Sequence, residues 1–277
     1  MPSADSLPQS GVTLEWSGLS DVGRRRTNNE DSWGAWALGA AAATPLSAGP
    51  LALPPRGVLL AVSDGMGGAA GGEVASHLCI EQLGPRVGAL APGADPLEGL
   101  QEVFLAIHAA LGAAAEATPP LRGMGATLSA VWLRPEGRGF IAHVGDSRIY
   151  HAPAGGDWVQ LTEDQSVGAA MVRRGEMTAE AVRRLRYRSM LEQVMGGDGA
   201  PIEPQLLEFA WGPGSRLALC SDGLHGPLED ILPGRLTEAF AGTVTEGNQG
   251  LIDAANAAGG PDNVTVVLAR FVPGRVS

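Results

Sequence analysis

The chain has 277 residues, 44% of them apolar and 18% charged, with a formal net charge of −11. That length suits one large domain or two small ones with a real core, and the composition excludes a low-complexity or disordered chain. The excess of carboxylates argues against nucleic acid as a partner, because affinity for a phosphate backbone needs Lys and Arg, and against docking on an anionic membrane. The two cysteines, Cys79 and Cys220, lie in apolar runs and are expected as buried free thiols of a reducing compartment. The start, Met1-Pro-Ser-Ala-Asp5, lacks the basic and apolar regions of a secretion signal. No apolar stretch approaches the ~18 residues that span a bilayer, so a cytoplasmic protein is expected.

In chain order, residues 1–10 are polar and read as a disordered end. Val12–Leu19 and Trp33–Leu38 read as strands, Ala40–Pro55 as a loop, and Gly57–Ser63 as a strong strand. Glu73–Leu90 has helical spacing in Val74, Leu78, Leu83 and Val87, with Pro85 expected to kink or end it. Pro96–Ala117 is a second helix, with Leu97, Leu100, Phe104, Ile107 and Leu111 on one face. Strands follow at Thr127–Leu133, Gly139–Val144, Arg148–His151 and Trp158–Leu161, joined by Gly, Pro or Asp as in antiparallel hairpins. Residues 163–199 are polar, Arg-rich and helix-forming. Leu206–Ala210 and Arg216–Cys220 return to strand character, residues 228–258 are mostly helical, and Val264–Phe271 is a last strand. The pattern predicts an α+β fold: two antiparallel sheets packed together with helices on their outer faces.

Three of the apolar runs stop at an aspartate, at Asp64, Asp146 and Asp222, and a fourth aspartate, Asp262, opens the last run. Each alone is an ordinary turn signal. Together they place four carboxylates at strand ends, where mutual repulsion raises their pKa unless a cation neutralises them. The glycines after Asp64 let the backbone approach a ligand, and the Gly65 carbonyl beside the Asp64 carboxylate is a natural oxygen pair for Mg2+ or Mn2+. Near the N-terminus, Arg24-Arg25-Arg26 precedes Thr27-Asn28-Asn29-Glu30-Asp31. An arginine triplet is usually a solvated cluster, but a guanidinium beside a metal site is also what a phosphoryl group needs.

The segments Ser20–Asp31, Ser63–Gly68, Gly123–Thr127, Gly145–Arg148, Leu161–Ser166, Ser221–Leu224 and Asp262–Thr265 occur in an order that resembles the PPM family of metal-dependent serine/threonine protein phosphatases (type 2C) in its compact bacterial form. The resemblance implies a four-layer α-β-β-α sandwich over residues 11–273, with a small helical flap at about 165–199. It implies two Mn2+ or Mg2+ ions: Asp64 bridging both, the Gly65 carbonyl on one, Asp222 and Asp262 on the other, and Glu30 and Asp31 acting through metal-bound waters. Arg26 matches the phosphate-binding arginine, and Asp146 with Asp222 matches the pair that holds a weaker third metal. The implied activity is direct hydrolysis of phosphoserine and phosphothreonine in proteins, opposing a serine/threonine kinase. Two other readings stand beside it: a phosphoprotein-binding module that has lost its chemistry, and a hydrolase of small phosphate esters.

Some positions depart from the family pattern. Met66 stands where some eukaryotic members carry a His offered as general acid, which leaves that acid unassigned, with a metal-bound water as the first candidate and His225 as a weaker one. Gln165 replaces a His, Ala126 replaces a Thr, and Leu185-Arg186-Tyr187-Arg188-Ser189 replaces a His-Pro stretch of the flap. The flap's six arginines are read either as a solvated cluster balanced by Glu176 and Glu180 or as a docking surface for acidic or multiply phosphorylated substrates.

Overall fold

The computed structural model describes residues 12–40, 42–66 and 71–273. The first ten residues, expected to be disordered, and Gly67 and Gly68 lie outside them. The chain starts with β1 (Val12–Asp21), β2 (Asp31–Leu38), β3 (Ala43–Pro45), β4 (Gly49–Ala52) and β5 (Val58–Met66). Helices α1 (Gly71–Ala89) and α2 (Pro96–Ala117) come next, then β6 (Gly125–Ala126), β7 (Leu128–Arg134), β8 (Arg138–Val144), β9 (Arg148–Ala152) and β10 (Val159–Gln160). Two short helices, α3 (Val167–Arg173) and α4 (Ala179–Val182), precede β11 (Met195–Gly196), β12 (Gln205–Ala210) and β13 (Arg216–Cys220). Helices α5 (Asp222–Leu228), α6 (Leu232–Ala239) and α7 (Val244–Ala257) lead into β14 (Val264–Pro273).

The strands form two antiparallel sheets, one ordered β10-β9-β13-β14-β1-β4 and the other β11-β6-β5-β7-β8-β12, with β2 also paired to β5 and β3 to β2. Side chains alternate between strand faces. In β5, Leu60 and Val62 enter the core between the sheets with Trp16, Val131, Leu219 and Val267, while Leu59 and Ala61 pack outward under α1 and α2. Both faces being covered explains why the strands read as unbroken apolar runs. On the far side Leu228, Leu236, Leu251 and Ile252 of α5–α7 cover Ala218, Val266 and Leu268. The architecture is the four-layer α-β-β-α sandwich.

Three local expectations need correction. The 40–55 stretch holds β3 and β4, which pair with β2 and β1; both are short edge strands carrying proline, a composition that reads as loop. Pro85 does not end α1, because Leu83 and Val87, buried on either side of it, tie both halves to the sheet. The 163–199 region is mostly turns, with helices of only 7 and 4 residues capped by Ser166 and Thr178. Ala170 and Val182 are the apolar side chains it buries in those helices, too few to hold longer ones. Both cysteines are buried and free, with burial pushing each thiol up to about 12. Among the described residues, no helix is long and apolar enough to cross a membrane.

Candidate metal centre

The carboxylates gather where one end of each sheet meets the other. β5 carries Asp64 and β2 begins at Asp31, its partner in register. The turn from β8 to β9, which crosses from one sheet to the other, carries Asp146. β13 ends at Cys220 and is followed by Ser221, the N-cap of α5, whose first residue is Asp222, and Asp262 immediately precedes Asn263 and β14. A cleft of about 610 Å³ opens over them, lined by Arg26, Glu30, Asp64, Gly65, Asp146, Asp222 and Asp262 among others. Asp31 is not in that lining; it lies beneath, 9% exposed.

Hydroxyls and amides fix this ring. Ser221 Oγ donates to Asp31 Oδ2 at 2.7 Å and accepts from Thr265 N at 3.0 Å. Thr127 Oγ1 accepts from Asp64 N at 2.9 Å and meets Ser147 Oγ at 2.7 Å, joining β5 to the Asp146 turn. Asn263 holds the arginine loop: its Oδ1 accepts from Glu30 N, and its Nδ2 donates to the carbonyls of Val22 and Asn28, all at 2.8–2.9 Å. Close backbone contacts demand glycine twice. A Cβ on Gly65 would strike the carbonyls of Gly72 and Glu30, and one on Gly223 would strike that of Asn263. Thr127, Ser147, Ser221 and Asn263 are the supporting residues that reading the chain for charged groups passes over. Their signal is position for three of them: Ser147, Ser221 and Asn263 each adjoin a candidate aspartate, while Thr127 is brought to Asp64 by strand pairing alone.

Electrostatics set the site apart. Burial, then the charges of Asp31, Asp222, Asp146 and Asp262, hold the Asp64 carboxyl well above the usual carboxylate range. Burial and the charges of Asp222 and Asp262 push Asp31 up to about 7, against the hydroxyls of Ser221 and Thr265. Burial, Asp222 and Asp164 push Asp146 up to about 8, and burial followed by Asp262 raises Asp222. Asp222 Oδ1 is buried without a hydrogen-bond partner. A set of hard oxygens, mutually repelling and partly orphaned, fits divalent Mg2+ or Mn2+. As placed, no three acidic, histidine or cysteine side chains among the described residues close on one point. Arg26 Nη2 engages Asp262 Oδ2 at 2.7 Å, with Nη1 4.0 Å from Glu30, while Ser221 engages Asp31.

One departure from the family pattern, Gln165, has a structural role. Gln165 clamps the Asp146 turn: its Oε1 accepts from Gly145 N and its N donates to Gly145 O, both at 2.8 Å. Arg148 forks onto Asp164 at 2.7 and 2.9 Å, outweighing the burial that would raise Asp164 and holding it below its usual range. His225 is buried, donates Nε2 to the Asp146 carbonyl at 3.0 Å, and is pushed down to about 3, chiefly by burial. It is a neutral packing residue, unsuited to delivering a proton near neutral pH. His143 is likewise buried, bonded to Ser129 and the Glu163 carbonyl, and pushed down to about 4 by burial.

Residues 51–251 match a family model described as protein phosphatase 2C. The chain is 36% identical to the serine/threonine protein phosphatase PstP of Mycobacterium tuberculosis over 94% of its own length and 46% of that protein, so it spans about half of that relative. It is 30% identical to the serine/threonine phosphatase stp of Listeria innocua over 91% of this chain and 93% of that one. It superposes with a TM-score of 0.76 on the PstP catalytic domain solved in complex with two manganese ions, at 36% identity, covering 94% of this chain and 99% of that one.

Proposed function

The chain belongs to the protein phosphatase 2C family, and on that premise we propose that it hydrolyses phosphoserine and phosphothreonine in proteins with the help of two divalent ions. The observation that carries this reading is the cluster of Asp31, Asp64, Asp146 and Asp222, four carboxyls raised by burial and by neighbouring carboxylates; Asp64, Asp146 and Asp222 line a cleft edged by an arginine, and Asp31 lies beneath it.

Asp64 and the Gly65 carbonyl would hold one ion, and Asp64, Asp222 and Asp262 the other. Glu30 and Asp31 would act at one remove through water, and Asp146 with Asp222 would hold a weaker third ion. When bound, Mn2+ or Mg2+ neutralises the carboxylates and generates a nucleophile from water near neutral pH. The chain's own contribution is positioning. Arg26, 47% exposed at the cleft edge, spends one guanidinium nitrogen on Asp262 and makes no other hydrogen bond among the described residues. Its remaining fork suits two oxygens of a phosphoryl group, whose charge it would offset during in-line displacement of the serine or threonine oxygen. Ser221 and Thr127 keep Asp31 and Asp64 in place without competing for the reacting group. Neither buried cysteine is needed, and both sit far from nucleophilic pKa values. Free thiols suit a cytoplasmic setting, in which a serine/threonine kinase supplies the substrates.

Turnover of a phosphothreonine peptide against free phosphosugars, both with Mn2+, tests the substrate class. Preference for the peptide is expected; equal or better turnover of the sugars would move the protein to small phosphate esters. No turnover of either would favour a binding module.

A further inference from the structure

We propose that Arg188, with Arg186 beside it, forms an anion subsite next to the cleft that selects substrates carrying a second negative group close to the phosphorylated residue. The inference rests on the protein-phosphatase reading and names the substrate class of that site.

A second cleft of about 320 Å³ adjoins the first and shares Asp146, Ser189 and Asp222 with it. Its charged groups are nearly all spoken for. Arg148 is forked onto Asp164, Arg183 meets Glu229 and Asp230 at 3.6 and 3.1 Å, and His225 is bonded through Nε2 to the Asp146 carbonyl at 3.0 Å. Asp146 and Asp222 belong to the candidate metal ring. Arg188 is the cation of this lining that has no acidic partner among the described residues. The same holds for exposed Arg186, whereas Arg173, Arg174 and Arg184 of the flap all have acidic partners.

Arg188 is also held in place. The 188–192 segment runs antiparallel to 165–168: Gly168 N donates to Arg188 O, Val167 N to Met190 O and Glu192 N to Gln165 O, at 2.8–2.9 Å. The 165–168 segment is in turn tied to the Asp146 turn through Gln165. An unpaired guanidinium on fixed backbone, one residue from Ser189 in the cleft wall, is placed to meet substrate rather than to wander in solvent. In a chain of net charge −11, such a free cation at the mouth of an acidic site also recruits an anionic segment against the general repulsion. The complementary group is a glutamate or aspartate side chain, or a second phosphate, on the same phosphorylated segment.

The test compares kcat/KM with Mn2+ for phosphothreonine peptides with neutral flanks, with glutamate flanks and with a second phosphate, using an aryl phosphate as reference. The wild type should favour both anionic peptides over the neutral one by about three- to tenfold, through KM and more at low salt. In the Arg186→Glu/Arg188→Glu variant that preference should vanish or invert, with activity on anionic peptides falling more than on the aryl phosphate. A wild type with no preference, or a variant losing all substrates equally, overturns the subsite and leaves the phosphatase reading standing. A wild type that turns over none of the four overturns both.

Discussion

Asp31 and Asp64 are register partners across the β2–β5 pair, a buried aspartate directly opposite one that lines the cleft in an antiparallel sheet. Like charges so placed destabilise a sheet. The fold keeps them there with Ser221 on one side and Thr127 on the other, and the pair is relieved by protons when no cation is present. That makes the centre a pH-sensitive weak point of the metal-free protein and a strong one of the metal-bound protein.

The sign follows from linkage. Burial, with the charges of Asp222 and Asp262, pushes Asp31 up to about 7 in the folded protein from the 3.8 of an ordinary aspartate, so between those limits the unfolded chain releases a proton that the folded chain keeps. Stability of the metal-free protein therefore falls as pH rises through this window. Asp31→Asn removes the liability. In EDTA at pH 8 it should be more stable than wild type by at least about 1 kcal/mol, with the gap closing by about pH 4. Urea unfolding at the two pH values measures it, and a gap independent of pH would refute the assignment. With Mn2+ added, the wild type should gain more stability than the variant.

The clamp on Gly145 gives a second prediction. Gln165→Ala leaves the buried Gly145 N–H without its acceptor, which costs about 1–3 kcal/mol. Gln165→His should recover part of the loss, because a ring nitrogen can accept in its place. An unfolding free energy from urea titration for Gln165→Ala within about 0.5 kcal/mol of wild type would show that the clamp is dispensable.

Arg26 separates phosphate binding from metal binding. Arg26→Ala should lower kcat/KM on a phosphothreonine peptide by about 10²–10³-fold. It should leave the Mn2+ midpoint unchanged or tighter, since it frees Asp262 from its ion pair. Arg26→Lys should recover little, because a point charge does not reproduce the fork. An Arg26→Ala enzyme that fails by losing Mn2+ would assign this arginine to holding the carboxylates instead.

Much of this was legible in the chain itself. Asp64, Asp146, Asp222 and Asp262 stood out because apolar runs with both faces buried stop or start at them, and α2 and β13 have the bounds their periodicity gives. The pairing of Asp31 with Asp64 was not legible, because register depends on partners distant in sequence. Nor were the clamp by Gln165 and the hold of Asn263 on the arginine loop, which are made by neutral side chains whose type carries no charge signal. The two proline-bearing edge strands β3 and β4 and the fragmented flap were misread for a related reason. Their conformation is set by neighbours rather than by local propensity.

Dependence of hydrolysis on divalent ions held by this carboxylate ring is the point on which the mechanism turns. It is tested most directly by phosphothreonine-peptide turnover during an Mn2+ titration, for wild type and Asp222→Ala, with EDTA as control. Saturable Mn2+ dependence is expected for wild type, with loss of turnover in EDTA and almost no activity for Asp222→Ala at the same Mn2+ concentrations. Activity that survives EDTA, or that persists in Asp222→Ala, would contradict it.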